Sequence, residues 1–192
     1  RELPSIPSSS TLSKDASGRY FISFTCEFEA CPLPAVNKAV GIDLGIKDVV
    51  VCSDGYKSGN PKHTVKWAAR LRHYQRSLAK KQKGSNNRWK ARLKVTKIHA
   101  KIKDQRLDFT HKLTRKIVNE NQVIVAENLA VKNMLKNPRL AKAISDANWG
   151  ELTRQLKYKA AWAGRSYYEI GRFESSTNCC HACGYVLPVK LK

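Results

Sequence analysis

Two acidic residues occupy places where acids are uncommon. Asp43 sits in GIDLG at the end of an apolar run, and Glu127 closes the run QVIVAE. Acidic side chains seldom enter buried strands without a partner. Two carboxylates brought together at strand ends repel unless a cation lies between them. Hard oxygen donors suit Mg2+ (or Mn2+), which retains waters and phosphate oxygens in its shell. In a two-metal arrangement one ion activates a water and the other steadies the leaving oxygen of a phosphodiester. Each acid also has a plain structural reading, Asp43 as a turn former beside Gly45 and Glu127 as a cap for the segment after it. Their shared placement in a strongly basic chain favours the chemical reading. Asp48, Asp54 and Asp146 are weaker candidates. Asp54-Gly55 reads as a turn, and Asp146 as an exposed residue near a helix start.

The second cluster that could do chemistry is Cys180-His181-Ala182-Cys183-Gly184, a C-x-x-C-G knuckle. Such a turn aims two thiolates at one Zn2+, half of a four-ligand site. His181 is a further possible ligand, awkwardly placed inside the knuckle. A thioredoxin-like role needs a following helix, which Pro188 discourages. With no secretion signal, disulfides are a poor default. Cys26, Cys31 and Cys52, in or near strands, read as small core residues.

Charge points to the substrate. The 192 residues hold 36 Lys and Arg against 15 Asp and Glu, a net charge of +21. Between Lys57 and Lys116 stand 20 Lys and Arg, two Asp and no Glu, which leaves +18 in this block and +3 elsewhere. A solvated helix face usually mixes both signs. A block of one sign repels itself unless a polyanion neutralises it. Nucleic acid is the favoured polyanion, because its phosphates release counterions on binding. A membrane surface or an acidic protein is the alternative. The candidate nucleic-acid ligands are Lys66, Arg70, Arg76, Lys80, Lys81, Lys83, Arg88, Lys90, Arg92, Lys97 and Lys101. No stretch approaches the ~18 apolar residues of a membrane span.

These residues need elements to position them. Hydrophobic residues make up 42%, enough for a packed core. Alternation over Tyr20–Phe24 predicts one strand, ended by Pro32 and Pro34. Ala39 to Leu44 and Val49–Cys52 predict two more, with a turn at Asp54-Gly55. Trp67, Leu71, Tyr74 and Leu78 recur on one helix face. KKQKGSNNR interrupts it. A second helical seam runs through Val95, Ile98, Ile102, Phe109, Leu113 and Ile117, with a weak place near Gln105. Trp67, Trp89 and Phe109 read as packing residues rather than base-stacking ones. QVIVA predicts a strand buried on both faces. Trp149, Leu152, Leu156 and Ala160 predict a helix capped by Asn148 and closed by Gly164, with a last strand in SYYEIGRF. The fold class is therefore α/β, mixed around one sheet.

GIDLGIKDVVVCSDG, VIVAENLAVKNM and SSTNCCHACGY, in this order and with basic helices between the first two, resemble the TnpB family. These are transposon-encoded RNA-guided DNA endonucleases related to type V CRISPR effectors. The resemblance covers nearly the whole chain. It implies an RNase H-like (RuvC) nuclease domain over 37–174 with a helical insertion at about 62–118. It also implies the end of a wedge-like β-domain over 1–36 and half a zinc ribbon over 175–192. Asp43 and Glu127 would be the first two catalytic carboxylates, holding Mg2+, and Cys180 and Cys183 the first zinc pair. The family's third catalytic Asp and second zinc pair would come after Lys192, so this segment alone is expected to be inactive. The implied partners are guide RNA and target DNA, with no membrane, in a prokaryotic cytoplasm and associated with the nucleoid. The alternative is an RNA-guided DNA-binding protein or repressor that does not cut. A general binder of structured RNA is a third option.

Overall fold

A computed structural model describes residues 2–171. It opens with a hairpin of β1 (Ser9–Lys14) and β2 (Tyr20–Thr25), antiparallel from Ser9↔Thr25 to Lys14↔Tyr20. The alternation pattern predicts only one strand here. The serine-rich β1 carries almost no hydrophobic signal and is recruited through its turn. The Asp15 carboxylate accepts from Ser17 N at 2.8 Å, Ser17 Oγ at 2.6 Å and Arg19 N at 3.0 Å. The Ser17 hydroxyl, with the Arg19 contacts, holds this carboxyl well below the usual carboxylate range. Arg19 also reaches Asp104 at 2.5 Å and so ties the hairpin to the long helix Asn86–Glu120.

The main sheet has the order β4-β3-β5-β6. Its strands are β3 (Ala39–Asp43), β4 (Val51–Cys52), β5 (Val123–Glu127) and β6 (Ser166–Ile170). β4 is antiparallel to β3, whereas β5 runs parallel to both β3 and β6. The turn at Asp54-Gly55 forms as expected, with Tyr56 N donating to Asp54 Oδ1 at 3.1 Å and Gly55 at φ +88°. Val40, Ile42, Ile124 and Ala126 point into the core. Burial of β5 on both faces is not observed: Ile124 and Ala126 are fully buried, while Val123 and Val125 are only half-buried. The helices account for this, because those that reach the sheet share one core with the Ile124 and Ala126 side.

The helices are α1 (His63–Ala79), α2 (Asn86–Glu120), α3 (Val131–Met134), α4 (Ala141–Ala147) and α5 (Trp149–Trp162). Leu113, Ile117 and Val118 of α2, Ile144 of α4, and Trp149, Leu152 and Leu156 of α5 form the core with the sheet. α2 has 35 residues, about 50 Å of helix. Its C-terminal part reaches the sheet, and its N-terminal part pairs antiparallel with α1. Ser85 caps α2 by accepting from Arg88 N at 3.2 Å. The Asn148 side chain does not cap α5 as expected; its amide donates to Thr110 Oγ1 at 3.2 Å, and its backbone takes φ 59°. Gly164 does close α5, at φ +66°, where a Cβ would lie 2.9 Å from Pro32 Cβ. Of the three N-terminal cysteines only Cys52 is in the core. Cys26 is half-buried, and Cys31 is exposed in the proline-punctuated linker. Burial pushes the Cys52 thiol up to about 11.

Asp146 overturns its reading as an exposed residue: its side chain is 5% exposed. It accepts from Thr64 N at 3.1 Å and from Thr64 Oγ1 at 2.8 Å, and pairs with Arg106 at 2.9 Å. Arg106 also donates to Thr64 Oγ1. The reason lies in α1, whose N-cap residue, Lys62, makes no side-chain cap. A carboxylate supplied from α4 accepts from one of the free N–H groups of α1, that of Thr64, and meets its positive dipole end. The weak place in the α2 seam is the other half of the device. There Gln105 accepts from Trp67 Nε1 at 2.8 Å, and Arg106 turns to Asp146.

Arg106→Met leaves a buried carboxylate without its cation and is expected to cost about 3 kcal/mol in urea unfolding. Combining it with Asp146→Asn should recover part of that loss. Strict additivity of the two single losses would show that the pair is not coupled. His63, beside this lock, has both ring nitrogens buried without a partner among the described residues and packs edge-on to Phe109. Burial lowers its pKa, so the folded state favours neutral imidazole. Stability is then present above the unfolded-state value of about 6.5 and falls as pH drops below it. His63→Phe should flatten the loss of unfolding free energy between about pH 7 and pH 5; an unchanged slope would assign that loss elsewhere.

Candidate active site and nucleic-acid interface

The register of β3 and β5 decides where the two acids lie. Its last partners are Ile42↔Ala126. One step further in the same register sets Asp43 beside Glu127, at the C-terminal ends of neighbouring parallel strands about 4.8 Å apart. Strand residues alternate between faces. Because Ile42 and Ala126 face the core, Asp43 and Glu127 share the opposite face. Gly41 and Val125 precede them on that side. β6 sets Tyr168 beside Val125 and Ile170 beside Glu127, and Tyr168 is 58% exposed. This is the face that the helices leave open.

The chain turns sharply just after Asp43. Gly45 N donates to Val49 O at 3.4 Å, and a Cβ at Gly45 would lie 2.8 Å from the Asp48 carbonyl oxygen. Glycine is therefore required there by close backbone approach. Among the described residues, neither Asp43 nor Glu127 forms an ion pair. Other acids do: Asp54 binds Lys38 at 2.7 Å, and Glu169 binds Lys157 at 2.9 Å. Two unpaired carboxylates on one face, all oxygen donors, fit a hard divalent cation. Among the described residues no group of three or more His, Cys, Asp or Glu gathers as a metal cluster. Asp48 therefore does not complete a set with the pair, and Asp54 is a turn residue. Cys180 and Cys183 lie outside the described residues.

The basic helices present most of the candidate ligands to solvent. Lys66, Arg70, Arg76, Lys80, Lys81, Lys83, Lys90, Arg92, Lys97 and Lys101 are all exposed. Arg88 is the exception. It is half-buried, and its guanidinium donates to Leu78 O at 3.2 Å in the last turn of α1 and to Lys81 O at 3.0 Å just beyond the helix. Its role is in the hairpin turn. The exposed cations do not share one surface: Arg92 lies about 200° round α2 from Lys90. Lys90, Lys97 and Lys101 do share a stripe, and Lys94 belongs to it. The 4-3-4 spacing of these four lysines was the signal that could have found Lys94. Trp67 and Phe109 are partly buried, as the packing reading expects. Trp89 is not, being 62% exposed near the hairpin tip. No helix among the described residues is long and apolar enough to cross a membrane.

Known proteins resemble this chain in sequence and in fold. A family model described as "Probable transposase" (OrfB_IS605) matches residues 23–138, and one described as "Cas12f1-like, TNB domain" matches 149–191. A Streptomyces pristinaespiralis protein named "Putative RNA-guided DNA endonuclease" is 49% identical over 97% of this chain and 47% of its own length. "Putative RNA-guided DNA endonuclease InsQ" of Escherichia coli K12 is 29% identical over 96% of the chain and 50% of its own length. The chain thus spans about half the length of the curated relatives it matches. A solved CRISPR-Cas12f ternary complex contains a chain matching 92% of this one, at TM-score 0.52 and 16% identity, over 37% of its own length. A Cas12f1-sgRNA-target DNA complex matches at TM-score 0.52 and 15% identity. That likeness is one of fold, a mixed sheet with helices. With the transposase model matching more than half of its residues, the chain belongs to the OrfB_IS605 (TnpB) family.

Proposed function

We propose that this chain is the nuclease core of an RNA-guided DNA endonuclease. The observation that carries the reading is the in-register placement of Asp43 and Glu127 on the open face of two parallel strands, in a chain whose 57–116 block carries +18. The order β4-β3-β5-β6, antiparallel at one edge and parallel through the rest, supports an RNase H-like (RuvC) domain. The span 37–174 would be that domain, with the α1–α2 hairpin inserted between β4 and β5. Residues 1–36 would be the end of a wedge-like β-domain and 175–192 a partial zinc ribbon, with Cys180 and Cys183 on Zn2+.

Asp43 and Glu127 would hold Mg2+ or Mn2+, which when bound neutralises phosphate charge and makes water more acidic. The carboxylates' own part is to hold that charge at the C-terminal ends of the two central strands. Gly45 keeps the following turn tight enough not to cover them. The basic hairpin grips phosphates with little sequence content, and guide-target pairing supplies the sequence choice. The family resemblance implies a third carboxylate, so cleavage is assigned to the full-length protein and not to this segment.

In that full-length protein, Asp43→Asn and Glu127→Gln should each slow guided plasmid cleavage at least ~100-fold, about 3 kcal/mol of barrier. Guide-RNA affinity should change less than about twofold, since neither residue belongs to the phosphate surface. Cutting by either variant at the wild-type rate would remove the pair from the chemistry. Guided binding by the unaltered protein without any cutting would favour the repressor reading.

A further inference from the structure

The antiparallel α1–α2 pair holds a cleft of about 220 Å³ whose lining includes Trp67, Arg70, Tyr74, Lys94, Lys97 and Lys101. Among the described residues no acidic side chain lines it. Arg70 sits between the two rings, its guanidinium carbon 5.8 Å from the Trp67 centroid and 5.9 Å from that of Tyr74. Lys101 Nζ lies 4.6 Å from the Trp67 centroid, and Lys94 Nζ 5.9 Å from that of Tyr74. Trp67 is itself fixed by its hydrogen bond to Gln105 at 2.8 Å. None of the four cations has an ion-pair partner among the described residues.

Both rings already have cations over them. Their effect is to hold long, charged side chains in place without neutralising them. A guanidinium so held keeps its planar fork available for bidentate phosphate contact. The cleft does not stand alone. It shares Tyr74 and Lys94 with a cleft of about 360 Å³ toward the hairpin tip. In the other direction it shares Lys97 and Lys101 with one of about 310 Å³ that ends at the Arg19–Asp104 pair. Together they make a groove along the lysine stripe. From Lys94 to Lys101 the stripe spans ~10 Å.

We propose that this groove is a phosphodiester clamp for one nucleic-acid strand. Arg70, organised by Trp67 and Tyr74, is its anchor, and Lys94, Lys97 and Lys101 are its rail. The proposal rests on the nucleic-acid reading of the basic block, but not on the carboxylate chemistry. The ligand chemistry is the sugar-phosphate backbone, which RNA and DNA share.

The test uses the 192-residue chain and fluorescein-labelled single-stranded oligouridylate and oligothymidylate, with binding followed by anisotropy from about 50 to 200 mM salt. The triple variant Lys94→Gln/Lys97→Gln/Lys101→Gln should lower the slope of log K against log salt by about 2 to 3. A charge-matched control, Lys136→Gln/Arg139→Gln/Lys142→Gln, should lower it by less than about 1. Arg70→Lys keeps the charge but should still weaken binding several-fold, because the fork is lost. All the altered residues are exposed, and circular dichroism checks the fold of each variant. Equal slope losses in the two triples would mean diffuse attraction and would overturn the clamp while leaving the nucleic-acid reading intact. No oligonucleotide binding by the unaltered chain would sink both. Unchanged oligonucleotide affinity in the groove triple, with lost binding of labelled polyglutamate, would assign the cleft to an acidic protein and overturn the proposal. With the slope loss confined to the groove triple, the relative losses for oligouridylate and oligothymidylate identify which strand the rail prefers.

Discussion

Everything at the sheet depends on one unfavourable juxtaposition. Two carboxylates end neighbouring parallel strands, on the same face, with no basic side chain paired to either among the described residues. Like charges this close cost free energy unless something positive compensates. Lysine and arginine are abundant in this chain, and its other sheet-end acid, Glu169, has a lysine. Position is what leaves Asp43 and Glu127 unpaired. Parallel pairing delivers both acids at the same end of the sheet. The alternation of β3 and β5 then turns them away from the apolar face on which the helices pack. The same alternation that buries Ile42 and Ala126 leaves Asp43 exposed and Glu127 half-buried.

The long α2 helix joins this site to the basic surface. Its C-terminal part supplies Leu113, Ile117 and Val118 to the core beneath the sheet. Its N-terminal part is a charged rod that pairs with α1. A rod of one sign repels itself, and the structure answers this locally in two ways. Arg88 turns back onto the C-terminal end of α1, donating to the Leu78 carbonyl and to that of Lys81 just beyond it, where partial negative charge accumulates. Asp146 and Arg106 fasten the opposite end of α1 to the core domain. Between these two fixed ends the remaining cations stay exposed, several of them lying over aromatic rings rather than against carboxylates.

Several elements were legible because their residues obey a period. Trp149, Leu152, Leu156 and Ala160 gave α5 its buried face, and the alternation of Tyr20, Ile22 and Phe24 marked β2. Where local signal and tertiary context disagree, context prevailed. β1 is a serine-rich segment that becomes a strand because Asp15 closes its turn. Trp89 lies in a helix but is left exposed near the hairpin tip. Asn148, a plausible cap by type, turns its amide to Thr110 instead, and an acid remote in sequence caps α1.

The sequence by itself determined the residue types that can do chemistry, the block of positive charge, the helical and strand periods and the family resemblance. These come from local composition and spacing, which a single chain carries openly. The tertiary structure alone decided that Asp43 and Glu127 are neighbours, that Asp146 is a buried cap, that Arg88 belongs to a turn, and that the lysines of α2 meet the rings of α1. Each of these brings together residues apart along the chain. It depends on strand register or helix pairing, and no local pattern of side chains encodes either.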